Sequence, residues 1–163
     1  MDKLTYTPRS YSSRGPRTGW SPTEFQRGAI TAAFFTTHPL PTSGEFDMDW
    51  NDWNNMGLPD RERFIAACTA FENKFEILLS IACEDDGNDM EKAGRDYHYT
   101  SAGHGCGFWD GDWKTYGEVL TRHAKAMPLP EVHADLDCDH YRETGEGCRK
   151  CEGCEDGPRF YVG

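Results

Sequence analysis

Four chelating side chains carry the strongest chemical signal in the chain: Cys138-Asp139-His140 and, after seven intervening residues, Cys148-Arg149-Lys150-Cys151. A C-x-H pair and a C-x-x-C turn each direct two donors toward one ion, and thiolate with imidazole in a tetrahedral set suits Zn²⁺. Four protein ligands leave no position open for water, so such a zinc holds structure rather than activating a nucleophile. Cys154 is a spare ligand. It can replace His140 to give four thiolates, and Cys148, Cys151 and Cys154 also match part of an iron–sulfur run. Pro158 stands where that run needs its next cysteine, so Cys138 would have to close the cluster. The total of seven cysteines is odd. In a reducing compartment the crowding of four of them reads as a metal site rather than a disulfide frame. Asp137, Asp139, Glu143, Glu146, Glu152, Glu155 and Asp156 repel phosphate, which makes a nucleic-acid-binding zinc knuckle built on Arg142, Arg149 and Lys150 the weaker reading.

The second signal is Asp96-Tyr-His-Tyr-Thr-Ser-Ala-Gly-His-Gly-Cys-Gly-Phe-Trp-Asp110. Glycines at 103, 105 and 107 permit positive φ and close backbone approach, and His104 can bond the backbone or Asp110, which together would lock a tight hairpin. The catalytic alternative makes His104 a general base and Cys106 a nucleophile, with Asp96 or Asp110 orienting the imidazole. Cys68 and Cys83 have no partner at metal or redox spacing and read as small buried hydrophobes. His98, His123 and His133 have no chelating spacing and read as surface or packing residues.

The same segment resembles the Asp-aromatic-Trp-x-Thr-x-x-Gly-His-Gly-Ala-Gly-Phe-Trp-Asp pattern of a family of small, mostly uncharacterised proteins encoded by tailed bacteriophages. Asp96, Thr100, Gly103, His104, Gly105, Gly107, Phe108, Trp109 and Asp110 match it. His98 stands where the family has Trp, Ser101-Ala102 replace Arg-Asn, Cys106 replaces Ala, and Gly111 replaces Arg. The family's Ala at the Cys106 position argues against a thiol mechanism. The likeness runs from about residue 29 to 136 and resumes at 161–163, leaving the N-terminal segment and the cysteine loop as additions. It implies a phage origin, and with it the cytoplasm of a bacterial host, but no settled activity.

These side chains need elements to position them. Residues 1–20 carry Lys3, Arg9, Arg14 and Arg17 against Asp2 among Pro, Gly, Ser and Thr, and read as a disordered basic arm. Residues 21–163 read as a single domain. Ser21-Pro22-Thr23-Glu24 offers a capping hydroxyl, a proline at the first helical position and a reciprocal glutamate. A helix should follow through Phe25, Ala29, Ile30, Ala33 and Phe34 and end before Pro39. Residues 43–58 read as a loop pinned by Phe46, Trp50 and Trp53, with Glu45, Asp47, Asp49 and Asp52 as a solvated rim. Phe64, Cys68, Phe71, Phe75, Leu78 and Ala82 predict one long helix from Pro59 toward Glu84, the spine of the fold. Alternation at 96–100 predicts a strand paired with a second at Phe108-Trp109. Thr115 and Glu118 open a further helix, and strands near 132–136 and 160–162 flank a zinc-stapled loop at 137–157. The sum is an α+β fold: two N-terminal helices, one of them long, and a small antiparallel sheet with a further helix.

Composition bounds the function. Lys plus Arg number 17 against 28 Asp plus Glu, a net charge of −11, which disfavours a broad phosphate-binding surface. No stretch approaches the roughly 20 apolar residues of a bilayer span, and the first residues lack the apolar run of a signal peptide. Three readings remain. The leading one is a nonenzymatic phage accessory protein that binds a host protein, in host takeover or defence antagonism, by presenting carboxylates where phosphates would sit. The second is a small hydrolase or transferase using His104 with Asp96, Asp110 or Cys106, and the third a zinc-knuckle regulator that binds nucleic acid.

Overall fold

In the computed structural model, residues 21–37, 53, 56–135 and 159–163 are described. Among the described residues, five named helices and two strands follow in chain order: α1 (Glu24–Thr37), α2 (Leu58–Lys74), α3 (Glu76–Asp86), α4 (Met90–Ala102), α5 (Gly117–Ala126), β1 (Val132–Asp135) and β2 (Arg159–Val162). The fold is α+β: mostly helical, with one two-stranded antiparallel sheet. The expected arm at 1–20, the expected rim acids Glu45, Asp47, Asp49 and Asp52 and the expected zinc ligands lie outside the described residues.

Helix α1 forms where the sequence predicts it, but its cap sits two residues later than Ser21. The Thr23 hydroxyl accepts the Gln26 N–H at 3.1 Å, and the Gln26 side chain accepts the Thr23 N–H at 3.1 Å. Thr-x-x-Gln satisfies the same reciprocal rule as Ser-x-x-Glu, and this register fits Phe25 into the core. The helix is central. It packs against α4, α2 and β1, and its last turn is tied to the sheet by the Thr37 hydroxyl, which donates to the Val132 carbonyl at 2.9 Å.

The predicted single long helix is two helices. At Phe75 the backbone turns to φ −116°, ψ 19°, with neither Pro nor Gly present. Hydrogen bonding continues through the bend, from the Phe75 N–H to the Phe71 carbonyl and from the Leu79 N–H to the Phe75 carbonyl. The new direction lets the Phe75 ring stack on His123 of α5 at 4.2 Å while touching Phe71 at 4.8 Å. A ring shared between two neighbours, rather than a helix breaker, accompanies the bend.

The predicted strand at 96–100 is the second half of helix α4, and the predicted hairpin to 108–109 does not form. The Asp89 side chain caps the helix by accepting the Lys92 N–H at 2.6 Å. Ala93, Asp96, Tyr97 and Thr100, three and four positions apart, form its buried stripe. Tyr97 and Tyr99 alternate by coincidence. The third predicted helix is α5, and it starts at Gly117 without a side-chain cap rather than at Thr115.

Two aromatic nests fill the core at the two ends of α1. Phe25, Phe71 and Tyr97 stack, with Phe71 and Tyr97 4.0 Å apart, and the Tyr97 hydroxyl donates to the Met127 carbonyl at 2.6 Å. Phe34 meets Trp53 and Phe160 edge-on, and Trp53 meets Phe64 in the same manner. The burial of Trp53 agrees with its predicted role as an anchor. The sheet pairs Val132 with Val162 and Asp135 with Arg159.

Helices α1 and α4 cross at two glycines that face each other's backbone. A Cβ on Gly28 would run into the Glu91 carbonyl, and a Cβ on Gly94 would run into the Phe25 carbonyl. A glycine inside a helix ordinarily weakens it by about 1 kcal/mol relative to alanine. Here the sign should invert. Gly28→Ala or Gly94→Ala should each lower stability by about 2–3 kcal/mol, because overpacking forces the backbones apart. Gly105→Ala, which meets nothing within 4 Å, should change stability by less than about 0.5 kcal/mol. Urea midpoints of the three variants decide this, and a stabilising Gly94→Ala would contradict the crossing.

Candidate functional site

Helix α4 ends at Gly103 in the left-handed conformation, φ 76°, and the chain then folds back along its own last two turns. The Thr100 hydroxyl, buried, accepts the Phe108 N–H at 2.9 Å. Gly107, at φ 146°, lies so close that a Cβ there would strike the Thr100 hydroxyl. The Asp110 carboxylate accepts the Gly107 N–H at 3.2 Å, closing the turn, and Phe108 is driven into the core against Trp113. Asp96, only 5% exposed, accepts the Trp113 indole N–H at 2.7 Å and the Lys92 ammonium at 2.7 Å. Asp96, Thr100, Gly103, Gly107, Phe108 and Asp110 thus form a clasp that fixes residues 103–113 on α4.

The catalytic arrangement weighed from sequence is not assembled in this geometry. His104 is exposed and lies beside the rings of His98 and Tyr99, at 5.6 and 5.9 Å between centroids. The hydrogen bonds of Asp96 and Asp110 go to Lys92, Trp113, Gly107 and the more distant Asp112 N–H, and among the described residues none runs to an imidazole. The Cys106 thiol is held above its ordinary value by burial first and by Asp96 and Asp110 next, with Lys92 opposing. A nucleophilic thiol needs the opposite shift. Cys68 and Cys83 are buried, and burial pushes both thiols up, Cys83 to about 11. Both behave as small apolar side chains.

Sequence reasoning missed several residues around the clasp. Lys92 bridges Asp96 and Asp112, the latter at 3.0 Å, and sits 5.7 Å from the Trp113 ring centroid. Burial disfavours its ammonium, but its bonds to the two carboxylates outweigh this and raise it above the usual lysine value. The Tyr116 hydroxyl donates to Asp85 at 2.7 Å, and the Asn88 side chain donates to the Asp112 carbonyl at 2.9 Å. These bonds fasten the end of α3 and the turn after it to the clasp, and Asp85, Asp89, Asp110, Asp112 and Trp109 are all exposed. Trp109 is 53% exposed although Phe108 beside it is fully buried. The i,i+4 spacing of Lys92 and Asp96 is masked by the strand expected at 96–100, and no sequence signal identifies Trp113, whose partner lies seventeen positions away across a loop.

His98 is a packing residue, as predicted, but with a polar cost. It is 4% exposed, its Nε2 meets the Thr36 hydroxyl at 3.0 Å, and its Nδ1 is buried without a hydrogen-bond partner among the described residues. The metal ligands proposed from sequence, Cys138, His140, Cys148, Cys151 and Cys154, lie outside the described residues. Among those described, no three His, Cys, Asp or Glu side chains converge as a metal site. No family model matches the chain, and neither a curated protein nor a solved structure matches it.

Two measurements follow. Thr100→Val leaves the buried Phe108 N–H without its acceptor and should lower stability by about 1–3 kcal/mol, read from urea unfolding. Burial, aided by His104, lowers His98 from 6.5 to about 3, so the folded chain keeps it neutral while the unfolded chain protonates it below about pH 6.5. The unfolded state therefore binds the extra proton between those values, and stability falls as pH is lowered through that window. This one group contributes a slope of up to about 1.4 kcal/mol per pH unit. His98→Gln should flatten the acid limb of the stability curve by that amount, and an unchanged limb would refute the assignment.

Proposed function

We propose that the chain is a nonenzymatic accessory protein of a tailed phage that binds a host protein through the Trp109 face, with Zn²⁺ at Cys138, His140, Cys148 and Cys151 holding the loop after β1. One observation carries the binding reading: the clasp engages Asp96, Thr100 and Asp110 of the motif in its own hydrogen bonds while leaving Trp109 half out of the surface. Exposed tryptophans on fixed backbones are the residues from which interface hot spots are built. Exposed carboxylates on the clasp and on the turn fastened to it, Asp85, Asp89, Asp110 and Asp112, would select a basic partner and speed its encounter. A host site that ordinarily binds phosphates fits such a surface, in keeping with acidic mimicry of nucleic acid.

The zinc proposal draws support from the sheet register. Asp135 pairs with Arg159, so the two ends of the intervening loop start side by side. Ligands at 138–140 and 148–154 then need close only a short span, and a structural zinc would rigidify a segment too polar to build its own core. Cys154 in place of His140 serves equally.

Capture of proteins from a bacterial host lysate on the immobilised chain tests the binding reading. Trp109→Ala should weaken capture of the retained partner at least about 30-fold. Asp85→Asn with Asp112→Asn should slow association and reduce its salt dependence. Absence of a retained host protein, together with a turnover abolished by His104→Ala, would transfer the assignment to the hydrolase or transferase class. Steeply salt-dependent DNA binding would transfer it to the regulator class. For the metal, about one zinc per chain and a lowered melting temperature after chelation are expected, and an unchanged melting curve in metal-free protein would contradict it.

A further inference from the structure

Ile77 and Ile81 stand one turn apart on α3 and are 76% and 43% exposed, whereas Leu79, Ala82 and Cys83 on the other side are buried. Acids frame the pair: Glu76 precedes it, and Glu84 and Asp85 follow, all exposed. A single exposed isoleucine is ordinary, but two at helical spacing inside an acidic frame make a small amphipathic face with a defined sign. A second copy is a poor occupant, because a two-fold axis would set these acids against themselves. Nucleic acid and anionic lipid carry the same sign.

The chain itself supplies an occupant of opposite charge. The Thr23 hydroxyl donates to the Glu72 carboxylate at 3.0 Å, so the start of α1 lies against the last turn of α2, just before the bend that leads into Glu76. Burial raises Glu72 above the ordinary carboxyl range, Thr23 opposes this, and Glu76 adds to it, which places the two carboxyls within mutual repulsion. The residues that lead into α1 carry Lys3, Arg9, Arg14 and Arg17 against one acid, with Leu4, Tyr6, Tyr11 and Trp20 interspersed. We propose that segment 1–20 docks in cis on the Ile77–Ile81 face of α3, its aromatic side chains covering the isoleucines and its basic residues pairing with Glu76 and Glu84.

Reach is not limiting. Helix α3, at about 1.5 Å per residue, is roughly 16 Å long, and an extended chain covers that in about five residues. Composition alone gives the segment too little apolar surface to order by itself, but an existing apolar face supplies what it lacks. Tethering also gives the segment an effective concentration on the order of millimolar, so a contact too weak to detect between separate molecules is occupied in cis. The docking stands whether or not the Trp109 face binds a host protein.

Hydrogen exchange by mass spectrometry on the full chain tests it. Replacing Lys3, Arg9, Arg14 and Arg17 together by Ser should raise exchange over residues 76–86 at least threefold, and about 1 M NaCl should do the same to the native chain by shortening the screening length to about 3 Å. Exchange in α1 and α4 serves as the fold control and should not move. In the reverse direction, Ile77→Ser with Ile81→Ser should bring amides of residues 3–20 to random-coil rates. Unchanged exchange at 76–86 after arm substitution overturns the proposal. Protection of 76–86 that grows with protein concentration also overturns it, by identifying a second copy as the occupant.

Discussion

Direct backbone contact between α1 and α4, at Gly28 and Gly94, is the constraint on which the rest of the structure depends. With no side chain between them, the two helices approach closely enough for Phe25 and Tyr97 to stack with Phe71 of α2. The same approach places Thr36 on His98. Helix α1 thus gathers α2, α4 and β1 around itself, although its own sequence is short and its predicted rival α2 is longer. Length does not decide which helix is central. The helix that can be approached on several faces does, and small residues at positions 28, 29, 32 and 33 give α1 that property.

The crossing fixes α4, and α4 in turn fixes the clasp. Thr100 and Asp96 lie one turn apart on the inner face of that helix, and each receives a hydrogen bond from the loop that follows it, at Phe108 and Trp113. A glycine at 107 is required because any side chain would displace the Thr100 hydroxyl. The histidine-glycine run therefore resembles a catalytic signature for a mechanical reason: glycines, a threonine and two aspartates are what a loop needs to lie flat on a helix end. Trp109 projects because Phe108 before it and Asp110 after it are both anchored.

The sequence made α1, α5 and both strands legible, since helical apolar spacing, proline stops and alternating apolar residues announce them locally, although neither expected cap is the one the structure uses. It concealed α4. Gly94 weakens the local helix signal despite the Asp89 cap, and the crossing with α1, a contact made between residues far apart in sequence, turns that glycine from a liability into a requirement. The bend at Phe75 was equally hidden, because the neighbour that accompanies it, His123, lies in another helix. At the site, the motif pointed to the right residues and to a locked turn, but the partners Lys92, Trp113, Tyr116 and Asp85 became visible only once α3, α4 and the loop were brought together. The dense cysteine signal at 138–154 belongs to residues outside those described, and its reading as zinc rests on ligand chemistry and on the closing of β1 against β2.

The Phe108 amide offers the most direct test that the motif is a clasp rather than reactive machinery. Its N–H is buried and bonded to the Thr100 hydroxyl, so residue-resolved hydrogen exchange should show it opening only with global unfolding, alongside the amides of α1 and α4. Exchange at the rate of an open loop, while the helices remain protected, would contradict the clasp and return the glycine-histidine loop to the class of mobile functional segments.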